Sequence, residues 1–158
     1  SSGLVVKNFT SDNYTDLEYN RNMDLYLCCD FNVDPMCWEI AHKDNESFYF
    51  IDELCIENTC TQHCIEEFIR RYSKHGAKIV VCDDASGNFR HSGAEFTNYM
   101  IIKQALEDYG YQVEFRLRSF NPPILNRIQA FNRRVCNANG ERFIKVNKEK
   151  SFYYQLYR

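Results

Sequence analysis

Leu25-Tyr26-Leu27-Cys28-Cys29-Asp30-Phe31-Asn32-Val33-Asp34-Pro35 sets the architecture of this chain, together with its counterpart Ile79-Val80-Val81-Cys82-Asp83-Asp84-Ala85-Ser86-Gly87. Each is an apolar run that ends in carboxylates and then a turn. A run of this length is the pattern of a strand buried on both faces, and a carboxylate at its end stands where the chain leaves the core for solvent. Two such ends side by side would bind a divalent cation.

Around these runs, three β-like segments follow one another at about 24–31, 35–42 and 47–56, the last reading SFYFIDELCI. The short polar Asn45-Glu46 between the second and third fits a hairpin, so the three are expected as antiparallel neighbours. Cys60, Cys64, Ile65, Phe68, Ile69 and Tyr72 then recur at helical spacing, with Asn58 or Thr59 as the cap and Gly76 as the stop. A strand at 78–82, a helix from about 95 to 109 ending at Gly110, and a strand at about 112–117 come next. Asn121-Pro122-Pro123 breaks the chain before a last helix over about 124–137, with Gly140 beyond it. A meander followed by alternating helix and strand predicts an α/β domain with a mixed sheet, three antiparallel strands then two parallel, flanked by helices. That order is the one used by the RNase H-like fold. A glycine-rich turn after the first strand and a Walker loop are both missing, which excludes the Rossmann and P-loop readings.

The 158 residues, 44% hydrophobic and 26% charged, fit one domain with its own core rather than a disordered chain. Ser1-Ser2-Gly3 reads as a cloning scar and residues 4–23 as a polar linker or an arm packed on the domain, leaving 24–158 as the domain proper. No apolar stretch approaches the ~20 residues of a membrane span, and no basic start precedes an apolar segment, so neither membrane insertion nor secretion is expected. Of the eight cysteines, Cys28, Cys55 and Cys82 lie inside strand-like runs, where a thiol behaves as a small hydrophobe, and a reducing compartment is expected. Cys60, His63 and Cys64 share a predicted helix face, but no second ligand pair stands at zinc-like spacing, and packing is the favoured reading. The net charge of −3 conceals an asymmetry: residues 1–115 carry 9 Lys and Arg against 20 Asp and Glu, whereas residues 116–158 carry 10 against 2. A basic last third beside an acidic cleft suits a phosphate backbone held against metal-binding carboxylates.

In a sheet of the predicted order the first and fourth strands are neighbours, so Asp30 and Asp84 would project from adjacent ends. Two carboxylates held within a few ångströms repel by several kcal/mol unless a cation or proton intervenes. Hard oxygen ligands without nearby histidine select Mg²⁺ or Mn²⁺. With two ions about 3.5–4 Å apart the reaction would be in-line hydrolysis of a phosphodiester. The competing reading of either aspartate alone is a turn cap. Asp83 faces away from Asp84 if the strand continues through both, and Asp34 before Pro35 reads as a turn residue. Glu53 on the third strand is the candidate for a third oxygen or a supporting contact, with Asp52 facing away. Arg90 and His91 follow the Asp84 loop, where Ser86 and Gly87 allow close backbone approach. Arg116, Arg118, Arg127, Arg133 and Arg134 compose one basic surface for sequence-independent contact with double-stranded DNA.

These residues resemble the nuclease domain of the large terminase subunit of tailed bacteriophages. CDFNVDPM at 29–36 is similar to the family's first active-site strand and DDASGNFRHSG at 83–93 to its second acidic motif. FIDEL, TNYMIIKQAL and NPPILNRIQAFN extend the similarity over about residues 24–146, and GLVVKNF is similar to the segment that joins the family's ATPase to its nuclease. The resemblance implies a metal-dependent endodeoxyribonuclease that cuts concatemeric viral DNA during genome packaging in the host cytoplasm. It implies Asp30 and Asp84 as metal ligands, and an ATPase domain, a portal and a small terminase subunit as partners. The family's third acid, usually near a His close to the C-terminus, has no counterpart here, since no Asp follows Asp108 and no His follows His91. Either the domain is shortened or Glu53 or another acid substitutes. Two alternatives stay open: another RNase H-like nuclease such as a junction resolvase, and a catalytically weak module that binds DNA or a portal.

Overall fold

The computed structural model describes residues 7–31, 35–83, 97–117 and 123–150. Along them run β1 (Tyr14–Thr15), β2 (Leu25–Cys29), β3 (Met36–Asp44), β4 (Ser47–Ile56), α1 (Thr61–Arg71), β5 (Ile79–Asp83), α2 (Asn98–Tyr109), β6 (Val113–Leu117), α3 (Ile124–Val135) and β7 (Ile144–Asn147). The strands form one mixed sheet in the order β1-β7-β4-β3-β2-β5-β6. β5 lies parallel to β2 and to β6, and β7 lies parallel to β4 and to β1. β3 runs against both its neighbours, because connections of a few residues cannot carry the chain back for a parallel pairing. Asn45, in the hairpin turn between β3 and β4, takes the left-handed conformation at φ 53, which asparagine tolerates. The stretch β4-β3-β2-β5-β6 is the RNase H-like meander with its two parallel strands, as the sequence predicts. β1 and β7, on the far side of β4, were not anticipated.

The described residues fall into two compact units, within Asn20–Ile40 and Leu54–Asn121 for the first and within Ser1–Tyr19, Ala41–Glu53 and Pro122–Arg158 for the second. In the first, Leu25 and Leu27 of β2 and Ile79, Val80 and Val81 of β5 have no exposed surface, the two-sided burial that their uninterrupted apolar runs imply. α1 packs on α2. Cys64, Ile65 and Phe68 from α1 and Ile102 and Leu106 from α2 are equally buried, each large side chain contributing about 1.5–3 kcal/mol. The Phe68 ring lies 5.2 Å from that of Tyr72 and 6.5 Å from that of Tyr111. α2 carries the end signals expected of it: the Thr97 hydroxyl accepts from Met100 N at 3.1 Å, and Gly110 closes the helix at φ 106, where a Cβ would be strained.

Three local expectations are corrected. The N-cap of α1 is Cys60, which makes no side-chain capping bond, while Asn58 turns the chain at φ 49; the helix ends at Tyr72 rather than at Gly76. Gly76 instead lies against Arg21, donating its N–H to Arg21 O at 2.9 Å. Cys55, read from sequence as a buried thiol, is exposed and bridged to Cys37, with Cα atoms 4.1 Å apart. The antiparallel pairing of β3 with β4 brings together two cysteines that are 18 residues apart in sequence, a meeting that depends on register and has no local signature.

In the second unit, residues Ser11–Asn13 form a 3-10 turn capped by Thr10, and β1 follows directly to pair with β7, Tyr14 opposite Val146. Asn13 has no exposed surface. Its Nδ2 donates to Val135 O at the end of α3 and to Ile144 O at the start of β7, both at 2.9 Å. Its Oδ1 accepts from Thr10 N at 3.1 Å and from Arg142 Nη1 at 2.6 Å. One side chain from the polar segment ahead of β2 thus satisfies backbone groups of α3 and β7, and no local pattern foretold it. Among the described residues no helix is long and apolar enough to cross a membrane.

Candidate metal and nucleic-acid site

The pairing of β2 with β5 runs in register from Leu25 opposite Ile79 to Cys29 opposite Asp83. Asp30 follows the last residue of β2, and it is exposed. Its neighbours hold the backbone on either side: Cys29 is 4% exposed, and the Phe31 ring meets Trp38 edge-on at 6.1 Å and Tyr99 at 5.0 Å. A carboxylate is therefore presented to solvent from a main chain anchored by core packing. The residue that follows Asp83 in sequence is Asp84, which lies outside the described residues, as do Asp34, Ser86, Gly87, Arg90, His91 and Arg118.

Glu53, on β4 in the second unit, is 7% exposed, and its backbone N–H donates to Asp52 Oδ1 at 2.9 Å. Asp52 is half-buried. Among the described residues no group of three or more His, Cys, Asp or Glu is arranged to hold a metal ion. Of Cys60, His63 and Cys64, only Cys64 is buried, while Cys60 and His63 are exposed. Burial pushes the Cys64 thiol up to about 11, with the nearby Cys60 adding to the rise and a hydrogen bond to Thr59 opposing it.

The basic residues divide by what they touch. Arg116 on β6 lies with its guanidinium carbon 5.7 Å from the Tyr26 ring centroid, donates to Tyr26 Oη at 3.2 Å and pairs with Glu114 at 2.8 Å. Tyr26 first and Glu114 after it raise its pKa above the ordinary guanidinium value, so the charge persists at any working pH. Half of the side chain stays exposed. Arg134, in the last turn of α3, donates to Glu46 O in the β3–β4 turn and stacks its guanidinium on Phe48 and Phe143 at 5.6 and 5.9 Å. It is an anchor for the hairpin tip as much as a surface cation. Arg133 beside it is exposed, and Arg127 belongs to the same helix. Sequence reasoning missed Tyr26 as the platform for Arg116 because the contact crosses from β2 to β6. It also missed the anchoring of Arg134, since charge density alone does not reveal a partner.

No protein-family model matches the chain, and no curated protein matches it in sequence. Solved structures do match its fold. The large terminase of a thermophilic bacteriophage superposes with a TM-score of 0.60 at 15% identity, over 97% of this chain and 36% of that one. The chain thus spans about a third of that protein's length. The P22 large terminase nuclease domain gives a TM-score of 0.60 at 13% identity, over 98% of this chain and 77% of that one. The human cytomegalovirus terminase nuclease domain, in a manganese-soaked and inhibitor-bound form, gives 0.52 at 13% identity, over 91% and 76%. What is shared at these identities is the fold: the chain is an RNase H-like α/β domain that resembles the nuclease domain of terminase large subunits.

Proposed function

We propose that this chain is the metal-dependent endonuclease domain of a terminase large subunit, cutting concatemeric viral DNA by phosphodiester hydrolysis during genome packaging. The observation that carries the reading is the parallel register of β2 and β5, which runs through Cys29 and Asp83, the residues that precede Asp30 and Asp84 in sequence. Adjacent parallel strands lie about 4.8 Å apart, a spacing that supports a cation shared by the acids that follow them. The likeness of fold to large terminases supports the same reading.

The donor set is oxygen from carboxylates, which suits Mg²⁺ or Mn²⁺ and not a soft ion. Asp30 and Asp84 would hold the metal, with Glu53 as the third candidate; such an ion acidifies water and neutralises charge on the scissile phosphate. The chain's own part is to fix Asp30 between a buried cysteine and a packed aromatic ring, so that its carboxylate needs little reorganisation. Arg116 and Arg133 offer exposed cations to the backbone of double-stranded DNA, and Arg90, His91, Arg118, Arg127 and Arg134 are the further nucleic-acid-binding candidates of this reading. An ATPase domain, a portal and a small terminase subunit are the partners that this reading implies for the longer protein.

Supercoiled plasmid with Mn²⁺ tests the assignment directly. Wild-type protein should nick it, chelation with EDTA should stop the reaction, and Asp30→Asn and Asp84→Asn should each abolish it while leaving the circular dichroism spectrum and thermal transition in place. Nicking at the wild-type rate by either variant refutes that ligand.

A further inference from the structure

We propose that Cys28 and Cys82 form a reversible dithiol–disulfide couple that fastens β2 to β5 immediately before the ends of the two strands. The two residues are register partners in the parallel pairing, and their Sγ atoms stand 3.3 Å apart. Adjacent strands about 4.8 Å apart fall within the Cα separation of about 4.4–6.8 Å that a disulfide spans. Cys28 is half-buried, whereas Cys82 is 9% exposed and its thiol donates to Leu27 O at 3.6 Å. A half-buried thiol with a more sheltered partner in contact suits an attacking and a resolving pair. Both are unbridged, although Cys37 and Cys55 across β3 and β4 are bridged. Cys29, the neighbour most able to compete, is 4% exposed and directs its Sγ to Leu27 O at 4.0 Å.

The oxidant is a low-molecular-weight disulfide such as glutathione disulfide. The Cys28 thiolate attacks one of its sulfurs, breaking the S–S bond and releasing one thiol equivalent. The Cys82 thiolate then attacks Cys28 Sγ in the mixed disulfide and expels the second. The protein gives up two protons and two electrons, and the small disulfide leaves as two thiols. Closure draws the sulfurs from 3.3 Å to about 2.05 Å, at positions two residues ahead of Asp30 and Asp84 in sequence. Resting on the proposed nuclease site, the bridge should then lower Mn²⁺-supported nicking by about tenfold or more, since misplacement on the order of 1 Å is costly to such chemistry.

The test treats the full chain with glutathione disulfide and follows intact mass and peptide linkage. The expected product is a peptide pair joining Cys28 to Cys82, lighter by two hydrogen atoms and restored by dithiothreitol, while Cys82→Ser accumulates glutathione on Cys28. A stable glutathione adduct on Cys28 of the wild type, or linkage of either cysteine to another partner, overturns the couple. Nicking is compared between bridged and reduced protein, with Cys28→Ser expected to be indifferent to the oxidant. An equal rate in the bridged protein overturns the coupling to activity. Reduced protein that never nicks counts against the nuclease reading, and the linked peptide still decides the bridge.

Discussion

Asn13→Ala should destabilise this protein more than any substitution of a polar residue on its surface. The side chain has no exposed area and makes four hydrogen bonds, two donated to the carbonyls of Val135 and Ile144 and two accepted from Thr10 N and Arg142 Nη1. Arg142 keeps a second acceptor in Asn8 O at 2.6 Å, so its loss is partial. The two main-chain carbonyls are the costly groups, because a buried polar group stripped of its partner costs about 1–3 kcal/mol, against ~1 kcal/mol for an ordinary bond exchanged with water. The sum is about 3 kcal/mol. In a domain of this size each kcal/mol shifts the melting temperature by about 2–4 °C, so a fall of roughly 6–12 °C is expected in a thermal melt followed by circular dichroism. Asn13→Asp separates the two halves of the network: it keeps the acceptor for Thr10 and Arg142 but turns a carboxylate toward two carbonyls, and should be no better than alanine. A fall of less than about 2 °C for Asn13→Ala, the size of an ordinary surface change, refutes the claim that this residue ties the segment before β2 to α3 and β7.

Cysteine labelling offers a second check: under native conditions at about pH 8, iodoacetamide should modify the exposed Cys60 and spare Cys64, whose thiol burial holds at about 11, until the protein is unfolded. Peptide mapping reads the outcome, and native labelling of Cys64 contradicts it. Glu67 supplies a pH test. Its carboxyl is lowered to about 2, first by the hydrogen bond from Arg70 and, against the opposing cost of burial, by Arg71 as well. Because the folded value lies below that of an unfolded glutamate, the pairing stabilises fully above about pH 4.5 and fades as pH falls toward 2. Glu67→Gln should cost less than about 1 kcal/mol at neutral pH, as exposed pairs do, and should flatten the acid limb of melting temperature against pH. An unchanged acid limb would show that the pair contributes nothing.

The architecture was legible wherever the backbone's own periods leave a mark. β2 and β5 appear as apolar runs closed by acids, α1 as a recurrence of Cys64, Ile65, Phe68 and Tyr72, and the end of α2 as Gly110, because strand and helix geometry impose spacings of 2.0 and 3.6 residues on whatever faces the core. β1 and β7 escaped because two and four residues are too few to establish a period. For the candidate site, the exposure of Asp30 at a strand end could be read in advance. The burial of Glu53 and the use of Arg134 to hold the β3–β4 turn could not.

The run of elements from β2 to α3, the mixed RNase H-like stretch β4-β3-β2-β5-β6 and the acids that close its apolar runs were therefore written in the residues alone. It took the folded chain to bring Cys37 to Cys55, to stand Cys28 against Cys82, to lay Arg116 on Tyr26, and to bury Asn13 beneath α3 and β7. Periodicity is a local consequence of φ and ψ, repeated at every turn and pleat. A contact between residues 18, 54, 90 or 122 positions apart depends on which register wins among long-range alternatives, and that choice belongs to the packing of the whole chain.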